Sequence, residues 1–414
     1  MKINKEIQKI ILNRSLITLG ILFVIRIGSF LPIPGINHSD LAFYITSHSI
    51  TKSLISTFSG NNTFVIGLFT LNIFPYINAS IFVQLIIGLS PKLTKLQKDG
   101  EFEGKRTINK LTRFVTLIFA VIQSLSLSLY LRQILFDWNY ILAFEIIIWL
   151  TAGAMSIVWL SELITDYGLG NGTSILVYTN IISNLPNLAK SIFLDSFIAG
   201  IGIVLLLFFS LYGIVFLQEG YRNIPLISSK QLNQRSLQIT SVYDELYIPL
   251  RLNQSGIMPI ILTTTIVVIP NYINSLGLFP IINLPINLDF LAVLYWIGYF
   301  SLIILFSLFY SMIVLSPKDI SDQMQKMAVT IPGIRPGIQT RFYLKQVMER
   351  ITVIGAIILA TLVTIPNFLE STLNLTSLNG LSSTSLLILA GVVLDLAREV
   401  KDIYFSNVYN DMYP

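Results

Sequence analysis

SLISTFSGNNTFVIGLFTLNIFPYINASIFVQLIIGLSP, residues 53–91, runs for 39 residues without one Asp, Glu, Lys or Arg. A helix rises 1.5 Å per residue, so about 20 apolar residues cross the roughly 30 Å hydrocarbon core of a bilayer. This stretch exceeds the length of one span, so something further is folded into it. Working outward, ten apolar runs stand at 15–33, 64–90, 113–131, 140–161, 173–190, 196–218, 255–273, 290–315, 351–369 and 384–397. Composition agrees with lipid as the solvent. Of 414 residues, 53% are hydrophobic and 12% charged, with a mean hydropathy of +0.72, whereas a soluble domain carries about 25% charged residues. Backbone polar groups in hydrocarbon must be satisfied internally, which a helix of this length does within itself. The fold class is therefore an all-α membrane protein with ten transmembrane helices. The start, MKINKEIQKIILNR, has no short apolar core followed by a small-residue cleavage site, so the first run is expected to be a retained span.

The charges set an orientation. With the N-terminus on the cytoplasmic side, that side also receives the segments around 91–112, 219–254 and 316–350 and the C-terminal tail. It then holds 23 of the 27 Lys and Arg, leaving Lys52, Arg132 and Lys190 outside and Arg26 within the first span. This is the positive-inside distribution, and it accounts for the net charge of +5 without a nucleic-acid partner. The cluster Lys92, Lys95, Lys98, Lys105, Arg106, Lys110 and Arg113 reads equally as topology-setting charge and as a partner surface. Segments 219–254 and 316–350 are long and mixed in charge, as a docking surface would be. Five spans in 1–190 and five in 191–414 permit two halves related as an inverted repeat.

Catalytic chemistry finds few candidates. The chain has no Cys, hence no disulfide, thiolate nucleophile or cysteine zinc site. Its two His, His38 and His48, fall in the loop after the first span. GEFEGKRT from Gly100 lacks the glycine spacing of a phosphate loop and carries Arg106 where Ser or Thr must stand. Gly168, Gly170 and Gly172 in YGLGNG follow no strand, which excludes a dinucleotide fingerprint. Arg26, Glu145, Asp289 and Asp395 lie near the ends of their runs, where a charge reaches the interface, so a buried proton or sodium relay is disfavoured. No cofactor, metal or enzymatic activity is expected. A passive, mostly apolar pathway remains, or a structural membrane protein.

Six segments, in order, resemble the SecY family. They are VIRIGSFLPIPGIN (24–37), LNIFPYINASIFVQLI (71–86), LQKDGEFEGKRTINKLTRF (96–114), WLSELITDYGLGNGTS (159–174), IPGIRPGIQT (331–340) and TSLLILAGVVLD (384–395). The resemblance implies the central protein-conducting channel of the Sec translocase, which passes unfolded polypeptides and releases hydrophobic segments sideways into the bilayer. A translocated chain is chemically arbitrary, so its conduit cannot bind side chains strongly, and a ring of branched aliphatic residues seals by dewetting. By similarity that ring is Ile73, Ile77, Val177, Ile261 and Ile388; the same side chains would also serve ordinary helix packing. The family splits its second span into a plug helix, here within about 54–69, and a membrane helix, with Pro75 suiting the break. Gln84 and Asn253 stand where lateral-gate contacts would lie, or make ordinary interhelical hydrogen bonds. Arg335, between Gly333 and Pro336, is the residue the family pattern offers to a docking partner.

The partners so implied are a SecE-type subunit, a SecG-type subunit as an optional third, a SecA-type ATPase motor, the ribosome and unfolded precursor polypeptides, with no DNA. The competing reading is a secondary transporter of small solutes. An Ile- and Asn-rich composition and a short tail favour a plastid thylakoid membrane, with a bacterial inner membrane as the alternative and both termini on the stromal or cytoplasmic side.

Overall fold

Among the residues that the computed structural model describes, 2–34, 67–90, 93, 103–132, 139–195, 197–228, 247–254, 256, 258–264, 288–314, 316–372 and 383–412, helical backbone falls within each of the ten predicted spans. The helices are α1 (Lys2–Phe30), α2 (Phe74–Leu89), α3 (Glu103–Leu131), α4 (Tyr140–Tyr167), α5 (Gly172–Asp195), α6 (Phe197–Glu219), α7 (258–264), α8 (Leu288–Val314), α9 (Pro317–Lys326), α10 (Ile338–Thr372) and α11 (Ser383–Met412). Among the described residues, those of α1, α3, α4 and α10 contain stretches long and apolar enough to cross a membrane. The chain is an all-α, multi-span membrane protein. Contacts divide it into two units, Met1–Gly200 with Thr376–Pro414, and Ile201–Leu375. His38, His48 and most of the expected plug lie outside the described residues.

In the first unit α2 packs on α3, α3 on α4, α4 on α1 and α5, and α11 on α1 and α5. Helix α2 starts where its sequence dictates. Asn72, at φ 50°, takes a left-handed turn, and its Oδ1 accepts the Ile73 N–H at 2.8 Å. Pro75 falls in the first turn, where its missing N–H has no helical acceptor to lose. So Pro75 opens the helix, and the preceding residues 68–73 are turns. The helix is 16 residues, about 24 Å, and needs that turn segment to complete a crossing. Gly168 ends α4, donating its N–H to the Ile164 carbonyl at 2.8 Å.

In the second unit α8 and α10 pack against each other. Trp296 meets Phe368 edge-on at 5.9 Å, and Ser311 meets Thr352 at 2.9 Å toward the opposite end of α8, which makes the pair antiparallel. The described parts of the two long polar segments, 219–228, 247–254 and 316–350, are folded. Strand β1 (Tyr221–Pro225) pairs antiparallel with β3 (Tyr247–Arg251) in the register Tyr221↔Arg251 to Pro225↔Tyr247. Strand β2 (Ile227–Ser228) pairs with β4 (Val329–Thr330). A shared apolar core of Ile224, Leu250, Met324, Ile331, Leu344, Val347, Met348 and Ile351 lies beneath them. Pro225 and Pro249 remove a donor from each strand of the first ribbon, which blunts it against adding a further strand.

Candidate functional site

Ile73 and Ile77 stand one turn apart at the start of α2, Ile73 with 0% and Ile77 with 8% of its surface exposed. The backbone before them is pinned. Gly67 bridges to Pro32, and the Leu68 N–H donates to the Leu31 carbonyl at 2.9 Å. Thr70 and Asn72 donate N–H groups to the Gly67 and Phe69 carbonyls at 3.1 and 3.0 Å. The Phe69 ring covers Gly28 of α1 and the Leu68 carbonyl crosses Gly153 of α4, so a Cβ at either glycine would collide. The end of the expected plug range is thus an anchored turn between α1 and α4. Val177 and Ile388 are half-buried on α5 and α11, which pack on one another. Gln84 is half-buried on α2, and Ile261 is half-buried on α7 in the second unit.

An ion pair that the sequence did not disclose joins α3 to α4. Arg113 donates from Nε to Oε1 of Glu162 at 2.7 Å and from Nη2 to Oε2 at 2.8 Å. The planar fork of Arg suits this bidentate geometry. Arg113 belongs to the basic cluster of the 91–112 region, but nothing in the sequence signals a partner 49 residues away. A second omission is the polar joint where the β1–β3 ribbon becomes α7. The Leu252 N–H donates to the Gly220 carbonyl at 2.9 Å, and the Leu252 carbonyl lies against Gly355 of α10, where a Cβ would not fit. Asn253 is buried, and its Nδ2 donates to the Gly256 carbonyl at 3.0 Å. Gln254 Oε1 accepts from Ser311 at 3.0 Å, and the Thr352 hydroxyl has its one proton to share between Ser311 Oγ at 2.9 Å and the Met348 carbonyl at 2.8 Å. Gln254 Nε2 is buried and has no partner among the described residues.

Arg335 stands exposed on the turn between β4 and α10. Gly333 and Gly337, at φ 79° and 100°, provide the left-handed corners on either side. Thr340 donates to the Arg335 carbonyl at 2.9 Å, Ser321 to the Gly337 carbonyl at 3.2 Å, and Ile331 beneath is core. The backbone is held while the guanidinium faces solvent. Among the described residues no cluster of His, Asp and Glu has the makings of a metal site.

The geometry defines a multi-span membrane protein with a folded polar platform outside its apolar spans. The SecY family model matches residues 67–397. A protein translocase subunit SecY of Trieres chinensis is 57% identical, over 97% of this chain and 98% of that one. Its counterpart in Guillardia theta is 40% identical over 96% of each chain, and that of Synechocystis sp. is 37% identical over 97% and 93%. Among solved structures, a protein-conducting channel superposes with a TM-score of 0.68 at 16% identity, over 97% of this chain and 95% of that one. The Sec61 of a canine ribosome-channel complex gives 0.63, also at 16% identity and with the same coverage. The chain belongs to the SecY family. Its function is that of the protein-conducting channel, and it is not an enzyme.

Proposed function

We propose that this chain conducts unfolded precursor polypeptides through a constriction made by Ile73, Ile77, Val177, Ile261 and Ile388. The observation that carries this assignment is the Ile73–Ile77 pair: two branched aliphatic side chains, one turn apart, on a backbone fixed by Asn72 and the 67–70 turns. Such a seal excludes ions by dewetting and yields to a chain of any chemistry. The plug lies within 54–69, and sideways release runs between spans two and three and spans seven and eight, with Gln84 and Asn253 as gate contacts. The halves 1–190 and 191–414 form an inverted repeat. A SecE-type subunit accompanies the chain, with a SecG-type subunit as an optional third. The platform around Arg335 receives a SecA-type ATPase and the ribosome, in keeping with the ribosome-channel complex of canine Sec61. Relatives from algae and from Synechocystis support a plastid thylakoid membrane, with the termini in the stroma.

Because the chain lacks Cys, single substitutions give a clean assay. Cys at each of the five ring positions should form disulfides with a stalled precursor carrying one Cys. Failure at all five, while control positions elsewhere in the channel react, would remove the ring assignment.

A further inference from the structure

Helix α10 begins immediately after the Arg335 turn, and its first four turns divide into two faces. Thr340, Leu344, Val347, Met348 and Ile351 are buried toward the platform. Opposite them, Ile338 is 87% and Phe342 63% exposed, one turn apart on one ridge, with Lys345 next along it. Arg341 flanks the ridge in the open. Arg350 is the last charge before the apolar run 351–369, so Ile338 stands twelve residues, about 18 Å, clear of the hydrocarbon. Lipid tails do not reach it there. An isoleucine and a phenylalanine side by side in water, rimmed by cations, have the make-up of an interface anchor.

We infer that the Ile338–Phe342 face, framed by Arg335, Arg341 and Lys345, docks an amphipathic helix of a protein partner whose apolar stripe is edged by Asp or Glu. This rests on reading the platform as a docking face and specifies what is docked. Charge complementarity favours the acidic edge: Arg335 and Arg341 are exposed within three residues of Ile338, and they outlast Lys345, whose charge Glu349 meets at 3.7 Å. The apolar pair selects protein over RNA. Phosphates would engage the Arg and Lys, and a splayed base would stack on Phe342, but neither buries the aliphatic Ile338. A helix laid along the ridge buries both through residues spaced i and i+4.

The test uses the full-length channel in proteoliposomes, with binding of a purified SecA-type ATPase and of ribosomes measured separately. Ile338 and Phe342 lie away from the core, so Ser at either position leaves the fold intact, checked by membrane level and thermal unfolding. The double variant Ile338→Ser/Phe342→Ser should weaken ATPase binding at least tenfold and leave ribosome binding within twofold, while Phe342→Leu retains most affinity. If Arg335→Glu loses ATPase binding but the double Ser variant does not, the platform docks its partner without the apolar anchor and the inference is overturned. Normal binding of both partners by Arg335→Glu removes the docking reading itself. Loss of ribosome binding with ATPase binding retained assigns the face to the ribosome and also overturns the inference.

Discussion

At Gly153 the absence of a side chain is a packing requirement, since the Leu68 carbonyl occupies the space a Cβ would need. A backbone oxygen cannot rotate aside, so Gly153→Ala must displace the turn that precedes Ile73. The expected cost is about 1–3 kcal/mol, read by thermal unfolding in detergent. Displacing that turn also disturbs the end of the proposed plug range, so resting ion conductance in planar bilayers should rise. Gly298 of α8 is the internal control: nothing lies within 4 Å of its missing Cβ. Gly298→Ala should therefore leave stability unchanged or raise it by up to about 1 kcal/mol through helix propensity. Equal behaviour of the two variants would remove the packing explanation. The Arg113–Glu162 pair gives a smaller effect, because the two side chains are 54% and 31% exposed. A double-mutant cycle to Ala should return a coupling of about 1 kcal/mol, with Arg113→Lys keeping the charge but not the second hydrogen bond. Additive single effects would show that the fork geometry contributes nothing.

The element whose energetics are most exposed to test is the joint between the β1–β3 ribbon and α7. Ser311 joins Gln254 to Thr352, so one hydroxyl ties the joint to both α8 and α10. Ser311→Ala leaves Gln254 Oε1 without that donor, and burying such an orphan costs about 1–3 kcal/mol. Gln254→Met removes the amide altogether, including the Nε2 that already lacks a partner among the described residues. It should cost less than Ser311→Ala, and the double variant should be more stable than Ser311→Ala alone. A double variant less stable than both singles would contradict this account of the joint. None of this was legible in the sequence, because Gln254, Ser311 and Thr352 meet only after 57 and 41 residues of intervening chain. The helices were legible, since apolar length in a bilayer leaves the backbone one local solution. Their ends were less so: α3 begins at Glu103, ten residues before the apolar run, and α10 at Ile338, thirteen before. Hydropathy sees the part in lipid and is blind to helix that continues into water.

For the whole molecule, the sequence carried the fold class, and its charges propose an orientation, because charge near a span biases which side its flank can occupy. The candidate ring was legible only through motif position, since branched aliphatic residues abound in every span and burial of Ile73 looks like that of any core residue. The orientation makes a forecast independent of any motif. With 23 of 27 Lys and Arg on one side, the 219–254 and 316–350 segments and both termini should share the stromal or cytoplasmic face. In a chain without Cys, one introduced at a time reports its own side by reaction with a membrane-impermeant maleimide. Exposed positions at Asn223, Gln325 and Gln339 should label together from the stromal side of sealed vesicles. Cys at Asn139, which precedes α4 on the opposite face in this orientation, should label only after the vesicles are opened. Labelling of Asn139→Cys in sealed vesicles together with Asn223→Cys would break the alternation of spans three and four and, with it, the even count on which the orientation rests. Because the positive-inside bias counts cations near span ends rather than net charge, adding acidic residues to the cytoplasmic segments should leave the labelling pattern unchanged, whereas moving the Lys and Arg of the 91–113 cluster to the opposite flank of α3 should disturb it.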